Sequence, residues 1–452
     1  MVFNKNSYWL KSGIFSLLQN ISSLIFGFGG FYLLVRTLSK EDFGGWTLFI
    51  TATSIFEVAR IGLIKNGFIK YRAANDESIH GVIFTASLIL NFCFALFITA
   101  ITAIFGAALA NLWNTPQLKE MFYMYSITSI VLVPFFQFEI LQHSQLNFKN
   151  VFIIYSIRNG FLFLAILLGY FGLYEITLLK LVIYHLGGAT LAAASSFLLA
   201  RNALRFYLPI NWDWVLKLIH YGKYVIGTSI SSMLYGGADQ FMLGSIISTT
   251  SVAMYSTASR ITNLINIPSM TLSTIMFPKS AALISTEGPQ AVKRLYEKSV
   301  GTILGVILPF VVLVLIFPDL IINVVAGEGY ADAVPILKIT AIISIFLPFS
   351  YQFGTVFDSI GMPNLNFYYT SASLLTNIIL NYFLILNFGI YGAVYGTLSI
   401  SILGFISMQT ILNIKLKVNT LNVFKYMFAF YSGCYELFVK LFKRKLDGVK
   451  GN

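Results

Sequence analysis

Apolar runs long enough to cross a bilayer recur along almost the whole chain. They fall at approximately residues 12–35, 46–64, 82–110, 121–142, 152–170, 174–199, 221–247, 252–278, 299–325, 334–359, 366–388 and 390–414. A spanning helix needs about 20 mostly apolar residues. Several runs exceed that minimum, so tilts or kinks are expected. Lipid offers no hydrogen bonds, so every backbone N–H and C=O in a run must be satisfied within its own segment, and the runs are predicted to be helical. Only short polar connections separate them, such as Ser39-Lys40-Glu41-Asp42 and Asn114-Thr115-Pro116-Gln117. Composition closes off the soluble alternative. Of 452 residues, 57% are hydrophobic and 11% charged, less than half the roughly 25% charge of soluble domains. The expected fold class is an all-α integral membrane protein with about twelve transmembrane helices.

Loop charge sets an expected orientation. With the N-terminus inside, the cytoplasmic loops, N-terminal segment and tail hold 22 Lys and Arg, against three (Arg36, Lys40 and Lys119) on the opposite side. Positive residues stay inside, so both termini are expected in the cytoplasm. The net charge of +12 is explained by this topology, and no basic patch interleaved with aromatics points to nucleic acid. No small-residue cleavage site follows the first run, so Gly13–Leu34 reads as a retained helix. Cys93 and Cys434 lack CxxC spacing and a histidine cluster, so neither a disulfide framework nor a metal site is expected.

Two halves emerge from the same pattern. The most polar interior stretch, Arg201–Lys223, follows six runs and precedes six. The expected domains are a six-helix lobe at 1–200, a cytoplasmic linker at 201–223, a second six-helix lobe at 224–415 and a basic cytoplasmic tail at 416–452. Within that tail, Val423–Phe442 reads as an amphipathic surface helix, with a thirteenth span as the less favoured alternative. The halves match at an offset of 209: Ile21-Ser22-Ser23 meets Ile230-Ser231-Ser232, Gly27 meets Gly236 and Ser39 meets Ser248. Parallel repeats are one of the two common transporter plans.

Charges inside spans cost ~2.5–3.5 kcal/mol each and usually face the bundle interior or a wet cavity. The candidates are Glu57, Arg60, Glu139, Arg158, Lys180, Asp239 and Arg260, with Lys338 and Asp358 near helix ends. Asn263 shares a helix face with Arg260 at i+3. Arg60, Arg158 and Arg260 suit an anionic cargo, because arginine stays protonated and binds phosphate in bidentate fashion. The structural alternative is that Glu57 and Arg60, i,i+3 neighbours, neutralise each other, and that Lys180 near Glu175 snorkels to the interface. Pro134, Pro268, Pro309, Pro335 and Pro348 sit in or near spans, where they permit bending. No GxSxG, HExxH, Walker or DxD signature appears. The expectation is a transporter with no catalytic residues, metal or cofactor. Loops of about ten residues or fewer outside the membrane weigh against an embedded glycosyltransferase or polymerase.

At this point the chain resembles the polysaccharide flippases, the O-antigen Wzx type, of the multidrug/oligosaccharidyl-lipid/polysaccharide (MOP) exporter superfamily. Leu38-Ser39-Lys40-Glu41-Asp42-Phe43-Gly44 is similar to that family's L-S-x-x-(D/E)-(F/Y)-G. Asp239-Gln240-Phe241-Met242-Leu243-Gly244 and Val252-Ala253-Met254-Tyr255-Ser256-Thr257-Ala258-Ser259-Arg260-Ile261 resemble its D-x-x-x-L-G and V-G-x-Y-x-x-A-x-R-I. Ala253 and Gly45 depart from its commonest residues. The resemblance implies two pseudo-symmetric six-helix lobes in a MATE-like fold. It implies alternating access moving an undecaprenyl-pyrophosphate-linked oligosaccharide, an O-antigen or related repeat unit, across the bacterial inner membrane. Arg60, Arg158, Arg260 and Asn263 would then bind substrate, while Glu139 and Asp239 would serve ion coupling or sugar contact. Its partners would be the lipid-linked oligosaccharide, membrane lipids, a glycan polymerase and a chain-length regulator. The competing expectation is an ion-coupled drug exporter of the same superfamily, whose cationic cargo favours intramembrane acids over arginines.

Overall fold

The computed structural model describes residues 5–201, 207–208 and 210–450, with side chains described except at 5–13, 224, 274, 278, 363, 434 and 437–450. Part of the expected linker, including Arg205, and the last two residues of the tail lie outside the described residues, as do the side chains of Cys434 and the basic positions from Lys440 onward.

The expected runs fall on helices in order. The first seven are α1 (Lys5–Thr37), α2 (Lys40–Ala74), α3 (Glu77–Leu112), α4 (Gln117–Ser144), α5 (Phe148–Tyr170), α6 (Leu178–Ala200) and α7 (Trp212–Ile246). The eighth run is broken into α8 (Thr249–Ile265) and α9 (Ile267–Thr286). The ninth covers most of α10 (Pro289–Ile316) and the short α11 (Pro318–Ala326). After a 3-10 turn, Glu328–Ala333, the tenth run is split into α12 (Val334–Ile343) and α13 (Leu347–Ser359). Next come α14 (Pro363–Phe388), α15 (Ile390–Leu416) and, in the tail, α16 (Thr420–Lys450). Nine of these helices are individually long and apolar enough to cross a membrane, and the pair Glu328–Ile343 and Leu347–Ser359, bent by 41°, makes a tenth among the described residues. The expected seventh and eighth spans, α7 and α8–α9, are not among these ten. α8, at 17 residues, is short for a span, and α7 carries the polar Asp239 and Gln240, which lower its hydropathy.

The prolines explain where the long runs break. Pro268, Pro335 and Pro348 stand in the first turns of α9, α12 and α13, where a missing N–H costs nothing. Pro134 and Pro309 instead lie inside α4 and α10. The serine of the motif before α2 has a local purpose. Ser39 Oγ accepts from the Asp42 N–H at 3.0 Å and donates to the Asp42 carboxylate at 2.9 Å, a cap stabilising by about 1 kcal/mol. The repeat-related Ser248 does the same before α8, accepting from the Ser251 N–H at 3.2 Å. Glycine closes the motif because a Cβ at Gly44 would run into the Thr249 backbone carbonyl.

Two compact units make up the chain, Met1–Ser256 and Thr257–Asn452. In the first, α4 packs against α3 and α6, α1 against α5, and α2 against α7. Its core holds Leu63, Ile64, Phe68, Ile83, Phe84 and Leu141, with a second cluster around Leu132, Phe135, Phe136, Ile154 and Ala189. The second unit is built around Tyr296, Val300, Phe349, Phe353, Phe357, Met408 and Leu412. Large apolar side chains also cover the outside, among them Phe97, Ile104, Leu164, Phe383 and Ile406, as expected where lipid is the solvent. The protein is a multi-pass membrane protein.

The tail helix joins this second core. Asn419 N–H and Asn422 Nδ2 donate to the buried Glu297 carboxylate of α10 at 2.8 and 3.1 Å. Further along, Val423 and Met427 pack beside Val300 and Leu304, and Phe430 lies against Gly305. The order of these contacts makes α16 run parallel to α10 through its first three turns. The tail therefore begins inside the bundle rather than apart from it.

Candidate substrate site

The polar stripe of α2 organises the first unit. Glu57, Arg60 and Lys65 recur at i, i+3 and i+8, so they share one side of the helix. Glu57 does not pair with its helix neighbour Arg60, as the short spacing suggested. Its Oε1 instead accepts from Arg158 Nη2 of α5 at 2.5 Å. The pair is largely buried, with 21% of the Glu57 side chain and 10% of the Arg158 side chain exposed.

Arg60 is buried and only half satisfied. Its Nη2 donates to the Ser129 carbonyl and Oγ of α4, at 3.1 and 2.6 Å. Its Nε and Nη1 have no hydrogen-bond partner. The guanidinium lies 5.3 Å from the Phe136 ring centroid. Arg158 lies 5.2 Å from Phe135 and 5.9 Å from the same Phe136 ring. Two guanidiniums thus lie within reach of one aromatic ring, each gaining cation–π attraction of ~0.5–2 kcal/mol. His185 of α6 borders the group, with its Nδ1 buried and unpartnered. One carboxylate faces two permanent cations here, which leaves an excess of positive charge.

Glu139 forms a second cluster on the same unit. Fully buried on α4, its Oε1 accepts from Lys65 Nζ and His143 Nε2, both at 2.9 Å. Asp239 of α7 is buried too and accepts from the Tyr255 hydroxyl of α8. One residue on, Gln240 Oε1 accepts from Thr51 of α2 at 2.6 Å. Lys180 Nζ donates to the Glu175 carbonyl at 2.8 Å in an exposed position.

Arg260 and Asn263 belong to the second unit, where Arg260 is half-buried and Asn263 exposed. The buried polar interior of that unit is made by other residues. Asn266 Nδ2, at the α8–α9 break, donates to the Ser344 Oγ at the α12–α13 break at 3.2 Å. Gln352 Nε2 reaches the Ser269 carbonyl and Ser273 Oγ, at 3.2 and 3.0 Å. Ser129, His185, Ser344 and Gln352 were not singled out from sequence. A lone serine, histidine or glutamine in an apolar run gives no signal of its partner, and only Asn266, at i+3 from Asn263, stood in a recognisable polar series.

A family model described as "Polysaccharide biosynthesis protein" matches residues 33–335. A probable low-salt glycan biosynthesis flippase, Agl15 of Haloferax volcanii, is 28% identical over 181 residues, 40% of this chain and 38% of the relative. The uncharacterised membrane protein MJ1068 of Methanocaldococcus jannaschii is 28% identical over 239 residues, 52% of this chain and 46% of the relative. The chain thus aligns with less than half the length of these curated relatives. Among solved structures, the lipid II flippase MurJ in an inward closed conformation superposes with a TM-score of 0.75 at 15% identity, over 94% of this chain and 92% of that one. An inward-facing multidrug resistance MATE family transporter of the MOP superfamily gives a TM-score of 0.74 at 14% identity, over 87% and 95%. The helical bundle therefore has the MOP superfamily fold that the sequence resemblance implied.

Proposed function

The chain belongs to the polysaccharide biosynthesis protein family, and from that premise we propose that it is a flippase for a lipid-linked oligosaccharide rather than an enzyme. The observation that supports this most directly is Arg60. A permanently charged guanidinium buried in a membrane bundle with Nε and Nη1 unpartnered is expensive to keep, and an anionic group would satisfy it. Arg158, beside the same Phe136 ring, supplies the second cation for a diphosphate. In this reading the sugars meet polar side chains while the lipid tail stays in the bilayer. Arg260 and Asn263 would also bind the cargo, and Glu139 and Asp239 would serve ion coupling or sugar contact.

The six-helix sets 1–200 and 224–415, linked through 201–223, are the halves that would alternate between two openings, with both termini and the basic tail in the cytoplasm. The finer reading is an undecaprenyl-pyrophosphate-linked O-antigen-type unit in a bacterial inner membrane, handed on to a glycan polymerase and chain-length regulator. It rests on the sequence resemblance, while the two curated relatives named above are archaeal. A drug exporter of the same fold would present acids to a cation. Here Glu57 and Glu139 each already hold cationic partners, which favours the anionic cargo.

The test is transbilayer movement of a fluorescent polyprenyl-diphosphate oligosaccharide in vesicles reconstituted with purified protein. Arg60→Ala and Arg158→Ala are expected to slow movement at least tenfold while the protein still inserts, with Arg60→Lys intermediate because it keeps charge without the fork. Wild-type rates in both alanine variants would refute the cationic site.

A further inference from the structure

Arg60 and Arg158 suit the diphosphate of the cargo, which leaves its sugars without specific partners. On the same three helices lies a second polar group with an unfilled acceptor. Glu139 of α4 is fully buried, and its Oε1 accepts from Lys65 of α2 and His143 of its own helix, both at 2.9 Å. Its Oε2 is buried with no hydrogen-bond partner. Tyr155 of α5 stands beside the carboxylate and still leaves Oε2 open. A buried charged acceptor left unmatched is costly, so this oxygen calls for a donor from the cargo or the solvent.

Position ties this group to the two arginines. Tyr155 lies one helical turn before Arg158 on α5 and interacts with Glu139 as well as with Arg158 and Glu57. On α2, Lys65 follows Arg60 by five residues, about 7.5 Å along the axis at the helical rise. A sugar ring joined directly to a diphosphate at Arg60 and Arg158 would span that separation. Lys65 and His143 are both partly exposed, so the cluster is open on their side. The Phe148 ring stands edge-on to His143 at 5.6 Å and offers an apolar wall there.

We propose that Glu139, Lys65 and His143 form the subsite for the sugar next to the diphosphate, and that this subsite selects a neutral sugar over an acidic one. The inference rests on the flippase reading and names the substrate class of its site. One sugar hydroxyl donates to Glu139 Oε2. The oxygen of an adjacent hydroxyl accepts from Lys65, whose ammonium carries N–H groups beyond the one given to Glu139. A carboxylate and an ammonium side by side thus read neighbouring hydroxyls. A uronic acid would instead bring a second carboxylate against Glu139, and like charges in a low-dielectric site repel strongly. Ion coupling suits Glu139 less well, because a metal cation at its carboxylate would face the Lys65 ammonium already there.

The test is isothermal titration of the full-length protein in nanodiscs with three geranylgeranyl diphosphate diesters: methyl, glucosyl and glucuronosyl. All three carry the same diphosphate charge. Wild type is expected to bind the glucosyl probe about tenfold more tightly than the methyl probe, the scale of one charge-assisted hydrogen bond, and the glucuronosyl probe no more tightly than the methyl. In Glu139→Gln the glucosyl-to-methyl ratio is expected to fall toward one, whereas Arg60→Ala weakens all three probes and keeps the ratio. A purely structural Glu139, or one that holds only water at Oε2, would leave the ratio at its wild-type value in Glu139→Gln, and that result overturns the subsite. So does a wild type that prefers the glucuronosyl probe or does not distinguish glucosyl from methyl. Either outcome leaves the flippase reading in place, while a wild type that binds none of the probes overturns both. If Glu139→Gln does not fold, Glu139→Asp, which keeps the charge and withdraws it by one methylene, is read in the same way: its ratio is expected to fall, and a wild-type ratio refutes the proposal.

Discussion

Lys65→Met and Glu139→Gln disturb the same ion pair from opposite ends, and the structure makes their costs unequal. Glu139 is fully buried, whereas Lys65 keeps 21% of its side chain exposed and can turn its ammonium outward when it loses its partner. Glutamine keeps the shape and one acceptor oxygen. Its bonds to Lys65 and His143, at 2.9 Å, then fall from charge-assisted to ordinary strength, a loss of about 1 kcal/mol each and about 2 kcal/mol together. Methionine at 65 instead leaves a buried carboxylate with His143 alone. Stranding one partner of a buried pair costs ~3–5 kcal/mol. Lys65→Met is thus expected to be worse than Glu139→Gln by about 2 kcal/mol, a factor of ~30 in the unfolding equilibrium. Reversible denaturation in mixed micelles measures both, along with the double variant. The double variant should be no less stable than Lys65→Met, since removing the stranded charge offsets removing its acceptor. A Glu139→Gln protein as unstable as Lys65→Met, or strictly additive losses, would refute the reasoning.

Other consequences follow from local geometry. Ser39→Ala and Ser248→Ala each remove an N-cap and should each lose about 1 kcal/mol, measured as the same denaturation midpoint shift. Equal losses are the expected outcome because the two caps occupy repeat-related positions. Gly44→Ala places a Cβ against the Thr249 carbonyl, a backbone atom that cannot rotate away. It should lower stability by more than the ~1–3 kcal/mol of ordinary overpacking, visible as loss of monodisperse protein on gel filtration. Gly301→Val would put its Cβ 2.5 Å from the Val423 carbonyl and 3.0 Å from the Met427 nitrogen. It should detach α16 from α10, raising proteolysis between α15 and α16 while leaving Met1–Ser256 intact.

Much of the fold was legible because lipid imposes one rule on every segment. A run of about 20 apolar residues has to be helical, and each of the twelve expected runs coincides with a helix or a broken helix pair. The breaks were partly legible as well, through Pro268 and Pro348, although sequence could not tell a kink inside a helix, as at Pro134, from a complete interruption. The motif around Ser39 and Gly44 was visible as a pattern. Its cause, an N-cap followed by a helix–helix contact, required coordinates. The tail was the least legible element, since an amphipathic period does not distinguish a face turned to headgroups from one turned to α10.

For the charged residues the division is sharper. Sequence singled out the charges that stand within apolar runs, because so few do: Glu57, Arg60, Glu139, Arg158, Asp239 and Arg260 stand out against an apolar background. Only the tertiary structure decided their partners. Glu57 could meet Arg60 by helix periodicity, yet it meets Arg158, 101 positions away, because the packing of the bundle turns the two side chains toward each other. Arg60 is left facing Ser129 and Phe136. Helical period places side chains on a face, whereas bundle packing chooses what that face meets. A buried charge's pairing depends on the second.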